Sequence, residues 1–265
     1  MNDQHAHESL SKVPAITLGF WIAKIFATTL GETAGDAVTM SWLGETTPDA
    51  SSAVSGYLIG TGIFGAILLI LVLLQIRARG FHPLLYWATI IASTTAGTTL
   101  ADFATRSLGI GYTGGSALLL VLVLASLGTW KAVEGEITSD KIVTARTEAF
   151  YWTTITFSQT LGTALGDWAA DTGGLGYLGG AALFGGLIAL VAILYFATNI
   201  NRVVLFWAAF ILTRPLGATV GDFLDKPLAK GGLALSRPLA SLALLAAIVL
   251  IVWWTSRRAK DSAPA

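Results

Sequence analysis

Four segments of this 265-residue chain align without a gap: WIAKIFATTLGETAGD from Trp21, WATIIASTTAGTTLAD from Trp87, WTTITFSQTLGTALGD from Trp152 and WAAFILTRPLGATVGD from Trp207. In each, a Gly follows the Trp by ten residues and an Asp follows it by fifteen. The Trp-to-Trp intervals are 66, 65 and 55 residues, and each copy carries one further apolar run. Those runs (Tyr57–Ile76, Ala117–Trp130, Ala181–Phe196 and Leu239–Trp254) are long and nearly uncharged. A fixed period of this kind is the signature of a repeat architecture, in which copies bury their faces against one another. Within the second and third copies GIGYTGG (109–115) echoes GLGYLGG (174–180).

The solvent follows from composition. Only 12% of residues are charged and 54% are hydrophobic, against about 25% charged in an average soluble domain. The pattern predicts an all-α polytopic membrane protein whose eight transmembrane helices form four parallel two-helix repeats. Expected helices lie near 15–41, 54–77, 84–107, 113–133, 146–170, 177–198, 203–224 and 236–256, in one membrane domain spanning 1–265. The repeats fall near 15–80, 81–135, 145–200 and 201–256. Two helices per copy return each motif helix to the same side, so the four are expected to surround an axis along the membrane normal. The first apolar run contains Lys24 and Glu32 and reads as a retained helix, not a cleaved signal.

Lys and Arg set the expected orientation. Lys12, Arg77, Arg79, Lys131, Lys141, Arg146, Arg202, Arg257, Arg258 and Lys260 fall on one side, and Arg106, Lys226, Lys230 and Arg237 on the other. By the positive-inside rule both termini are cytoplasmic. The formal net charge is zero and no nucleic-acid motif is visible, so the lipid bilayer is the expected partner and nucleic acid is not. Without cysteine, disulfides and thiolate metal sites are excluded, and no cofactor is expected.

The pattern resembles a family of bacterial membrane proteins catalogued as a tandem repeat of unknown function, with four copies of two transmembrane segments and a characteristic Trp. Trp21, Trp87, Trp152 and Trp207 carry the resemblance. It implies a multi-pass architecture in the bacterial cytoplasmic (inner) membrane and says nothing of activity.

A helix rises about 1.5 Å per residue. With the motif Trp anchored at the cytoplasmic interface, Gly31, Gly97, Gly162 and Gly217 lie about 15 Å deeper and the aspartates about 22 Å deeper. Gly31–Gly35, Gly97–Ala101, Gly162–Gly166 and Gly217–Gly221 are small-xxx-small pairs, which let helix backbones approach closely. Stepping back by fours from Asp36 gives Glu32, Thr28 and Lys24; the other copies place Thr98 and Thr94, Thr163 and Gln159, and Ala218 and Arg214 in the same columns. Thr29, Thr33, Thr95, Thr99, Thr160 and Thr219 flank them. Four such stripes predict an oxygen-rich cavity.

An ionised carboxylate at a helix centre costs about 2.5–3.5 kcal/mol on insertion scales, whereas an intramembrane polar bond returns about 0.6 kcal/mol. Packing alone is a poor reason to repeat that cost four times. The expected cation-binding set is Glu32, Asp36, Asp102, Asp167 and Asp222 with Thr98, Thr163 and Gln159, and Lys24 and Arg214 compensate charge. The five acids are also the candidate metal ligands. Carboxylates and hydroxyls without Cys or intramembrane His favour a hard ion such as Mg²⁺ or Mn²⁺ over copper or zinc; His5, His7 and His82 lie outside the spans. Pro215 is expected to loosen its helix. The expected activity is proton-coupled secondary transport of a cation. The alternatives are an organic-cation efflux protein, with Trp168 as its cation–π residue, or a scaffold or sensor without flux that docks through Lys131–Arg146. An enzyme is not expected: an intramembrane aspartyl protease needs Gly-x-Gly-Asp, and the residues three before each motif Asp are Thr33, Thr99, Ala164 and Thr219.

Overall fold

The computed structural model describes residues 12–44, 55–138 and 142–261. His5, His7, Glu45, Asp49 and Lys141 lie outside them. Eight long helices account for these residues and no strand occurs among them: α1 (Leu18–Asp36), α2 (Gly56–Arg77), α3 (Pro83–Asp102), α4 (Gly111–Glu134), α5 (Ala145–Asp167), α6 (Gly176–Ala197), α7 (Arg202–Asp225) and α8 (Arg237–Asp261). Local chemistry sets their starts. Thr17, Ser55, Thr144 and Asn201 cap α1, α2, α5 and α7 by accepting a backbone N–H, and Pro83 opens α3.

In the first three copies the α-helix ends at the motif Asp and continues as a π-helical turn: Ala37–Trp42, Phe103–Ser107 and Trp168–Thr172. Such turns re-aim the side chains around them. The fourth copy stays α-helical through Asp222 to Asp225 and continues through Pro215, whose ring nitrogen has no hydrogen to give the carbonyl four residues back. After the second and third π turns the chain reverses through Gly109, Gly111, Gly174 and Gly176, all at φ between 65 and 69°. Only glycine adopts that region without strain, which accounts for the echoed GIGYTGG and GLGYLGG.

The motif helices α1, α3, α5 and α7 form a closed ring, each packed on the next and α7 on α1. Each outer helix leans on the motif helix of the following copy: α2 on α3, α4 on α5, α6 on α7, and α8 back on α1. Glycines make the ring tight. A Cβ on Gly31 would run into Thr94, one on Gly97 into Gln159, one on Gly162 into Arg214 and one on Gly217 into Thr28. In every case the obstacle is the residue eight before the next copy's Asp. Threonine adds a bond at the same step: Thr94 Oγ1 donates to Ala27 O at 3.1 Å, and Thr28 Oγ1 to Thr213 O at 3.1 Å.

Among the described residues, five helices are long and apolar enough to cross a membrane: Gly56–Arg77, Gly111–Glu134, Gly176–Ala197, Arg202–Asp225 and Arg237–Arg257. The four outer helices among them turn Leu, Ile and Val outward, for example Leu69, Val121, Ile193 and Leu250. An apolar exterior around a polar interior, with the backbone polar groups satisfied within the helices, is the arrangement lipid demands. The chain is a multi-pass membrane protein.

Candidate functional site

The ring interior is layered from one end to the other. At the Trp end the aromatic residue before each motif Trp packs on the motif Trp of the next copy. Ring centroids lie 5.7 Å apart for Phe20–Trp87, 5.7 Å for Tyr86–Trp152, 6.0 Å for Tyr151–Trp207 and 5.7 Å for Phe206–Trp21. Tyr86 and Tyr151 share a hydroxyl–hydroxyl bond of 2.8 Å across this layer. Phe20, Tyr86, Tyr151 and Phe206 are all buried, so the axis is plugged here. The motif Trp residues therefore lock copies together. Trp87, Trp152 and Trp207 are buried in these contacts. The signal missed in the sequence is the aromatic residue one position earlier, which has no partner until the ring closes.

One turn deeper lies Lys24, fully buried, its Nζ 4.1 Å from the centre of the Phe210 ring. Among the described residues that ammonium has no hydrogen-bond partner and meets no carboxylate. The charge-compensating role expected of Lys24 is thus corrected: its helix position faces Phe210, and the acids lie two and three turns further along. Gln159 is also fully buried, with both amide atoms unpartnered among the described residues.

Arg214 holds the centre. Its guanidinium, 0% exposed, pairs with Glu32 Oε2 at 2.8 Å and donates to the Thr98 and Thr163 hydroxyls and to Thr28 O at 3.4 Å. Those contacts reach all three other motif helices. The layer is legible once seen: Glu32, Thr98 and Thr163 stand four before their Asp, and the fourth member is the small Ala218. The guanidinium, rising from the layer below, takes the place a larger side chain would fill. The oxygen-rich cavity expected along the stripes is therefore closed. The flanking threonines are committed elsewhere: Thr29, Thr33, Thr95, Thr99, Thr160 and Thr219 each donate to a carbonyl of their own helix.

The four motif aspartates form the next layer as two pairs, each bridged by one cation. Arg106 Nε lies 2.9 Å from Asp102 Oδ1, and its Nη2 3.5 Å from Asp167 Oδ2. Lys226 Nζ lies 2.9 Å from Asp222 Oδ1 and in direct contact with Asp36 Oδ2. Both cations stand four residues after an Asp. Sequence reading placed Arg106 near the end of the expected helix 84–107 and Lys226 in the connection after 203–224, and neither belongs to the aligned motif. Glu32, Asp36 and Asp222, all buried, place carboxylate oxygens within 4.8 Å of one another. Of the five acids expected to act together, three meet here; Asp102 and Asp167 gather around Arg106.

Beyond this layer a cavity of about 450 Å³ opens, lined by Arg106, Asp171, Tyr177, Asp222, Lys226 and Lys230. Asp225, behind Lys226, pairs with Arg237 at 3.0 Å. Trp168 is exposed and does not line the cavity. Beside the cavity, Tyr57 and Tyr112 place their rings 5.9 and 5.8 Å from the Arg106 guanidinium.

A family model described as Repeat of Unknown Function (DUF347) matches residues 19–81, 85–136, 150–201 and 205–261. The chain belongs to this family. The four DUF347 repeats each comprise one motif helix and the outer helix that follows it, so the aromatic layer and the aspartate layer each draw one motif position from every repeat. No curated protein and no solved structure matches the chain.

Proposed function

We propose that this protein is a proton-coupled secondary transporter that carries a cation, with a hard divalent ion favoured, along the axis of its motif-helix ring. One observation carries the reading: three buried carboxylates, Glu32, Asp36 and Asp222, converge within 4.8 Å, and Asp222 among them lines the cavity. Two oxygens on one hard cation, each at about 2.0–2.6 Å from it, lie no more than about 5 Å apart. The aromatic plug at the opposite end supports a carrier over an open channel, since it seals one side while the other is accessible. Carboxylates that exchange a metal for protons supply the coupling.

On this reading all eight helices cross a bacterial cytoplasmic membrane, with both termini inside. Helices α1, α3 and α5 miss the apolar requirement because their polar faces are turned on one another within the ring, where lipid never meets them. The test is flux into proteoliposomes carrying an internal pH dye, challenged in turn with Mn²⁺, Mg²⁺, Ca²⁺, Na⁺, K⁺ and a quaternary amine. A pH change with one divalent cation, abolished by Asp36→Asn in folded protein, is the expected result. Silence across the panel with folded wild-type protein overturns the proposal.

A further inference from the structure

Arg106 and Lys226 occupy the same register in the second and fourth repeats, and each bridges its own Asp to the Asp of the next copy. Their surroundings differ. Arg106 is clamped between the rings of Tyr57 and Tyr112 and faces two carboxylates. Lys226 sits on a flexible stem just past the end of α7, in extended backbone at φ −73° and ψ 154°, and like Arg106 it lines the cavity. Its ammonium lies among Asp36, Asp222 and Asp225, with Met40 Sδ at 3.7 Å, and Glu32 joins the cluster only on this side. A planar guanidinium holds two carboxylates in fixed geometry, whereas an ammonium is a compact, mobile point charge.

Charge balance separates the halves further. With Lys226 in place, Glu32, Asp36 and Asp222 face two cations, Arg214 and Lys226. Withdraw the ammonium and the three carboxylates, once their protons have left, face Arg214 alone, a net charge of −2 in a pocket with the reach of one hard divalent ion. The withdrawn ammonium is not stranded, because Asp171 lines the same cavity and Asp225 already lies 3.9 Å away.

We infer that Lys226 is a tethered competitor: its ammonium fills the place of the transported divalent cation, moves into the cavity when that cation binds, and returns to expel it. This rests on the reading of the protein as a cation carrier. The swap exchanges one positive charge for two, so each occupied site gains a single charge. Arg106, in the equivalent position, stays in place and keeps Asp102 and Asp167 out of the exchange.

The test is equilibrium binding of Mn²⁺, Mg²⁺ and Ca²⁺ to the purified full chain in detergent, with free Mn²⁺ read by electron paramagnetic resonance and the others by competition. Lys226→Gln is expected to bind the preferred ion about tenfold tighter than wild type, and Arg106→Gln is not. The sequence contains no cysteine, so Lys226→Cys offers a control within one folded sample. Modification of that variant with an aminoethyl thiosulfonate restores an ammonium and should return affinity to the wild-type value; a neutral methyl reagent should leave it tight. Wild-type binding that is unchanged in Lys226→Gln, and indifferent to the charge attached to the Lys226→Cys thiol, overturns the tether and leaves the carrier reading standing. Absence of binding by wild type and both variants overturns the two together.

Discussion

Replacing Arg214 by Met tests whether the ring interior is held by the central guanidinium. Met keeps the Cβ and Cγ that pack against Gly162, so the tight contact between α5 and α7 survives while the charge and its hydrogen-bond donors are removed. The consequences fall unequally on the partners. Thr98 also bonds to Gly31 O at 3.1 Å and to Thr94 O at 3.1 Å, so its hydroxyl is not orphaned. Among the described residues, the hydrogen bond left to Glu32 is the one from the Thr98 hydroxyl at 3.3 Å. Removing one member of a buried ion pair strands the other and costs about 3–5 kcal/mol. Adding Glu32→Gln removes the stranded charge, because an amide needs no counter-ion. The double variant is expected to recover about 2–3 kcal/mol of that loss, a coupling energy in the range of directly bonded pairs. Reversible unfolding in mixed micelles measures all four corners of the cycle. A loss below about 1 kcal/mol for Arg214→Met, or strict additivity of the two substitutions, would refute the reasoning.

Two further predictions concern packing and the unpaired lysine. Gly217→Ala should lower stability by about 1–3 kcal/mol, because its Cβ would lie 2.7 Å from the Thr28 backbone carbon. Gly62→Ala, with nothing within 4 Å of its Cβ, should raise it by up to about 1 kcal/mol through helix propensity; equal effects in an unfolding titration would contradict the ring geometry. Lys24→Met should raise the unfolding midpoint, since a buried ammonium offset only by the Phe210 ring is costly. A lower midpoint would mean that Lys24 carries a bond essential to the fold.

The candidate site was half legible. Glu32, Asp36, Asp102, Asp167 and Asp222 stand out because carboxylates inside apolar helices are rare. Thr98 and Thr163 follow from the same columns. Which acid meets which cation did not follow. Arg106 and Lys226 each reach across to the neighbouring copy's Asp, and no local spacing encodes that reach. Lys24 misled for the complementary reason: its column is shared with Glu32 and Asp36, yet successive turns of a helix on a ring axis meet different neighbours, and its turn meets Phe210.

By itself the sequence determined the repeat, the number of helices and the facing of the small residues, because each is written in local periodicity: an apolar run, a fixed Trp–Gly–Asp spacing, and a small residue every fourth position. Tertiary structure alone decided that the ring closes copy upon copy, that the outer helices lean on the following repeat, and that Arg214 fills the space above Ala218. It also decided that the four aspartates divide between one guanidinium and one ammonium. Those outcomes depend on side chains from different copies occupying one volume, and a shared volume exists only after the helices have packed.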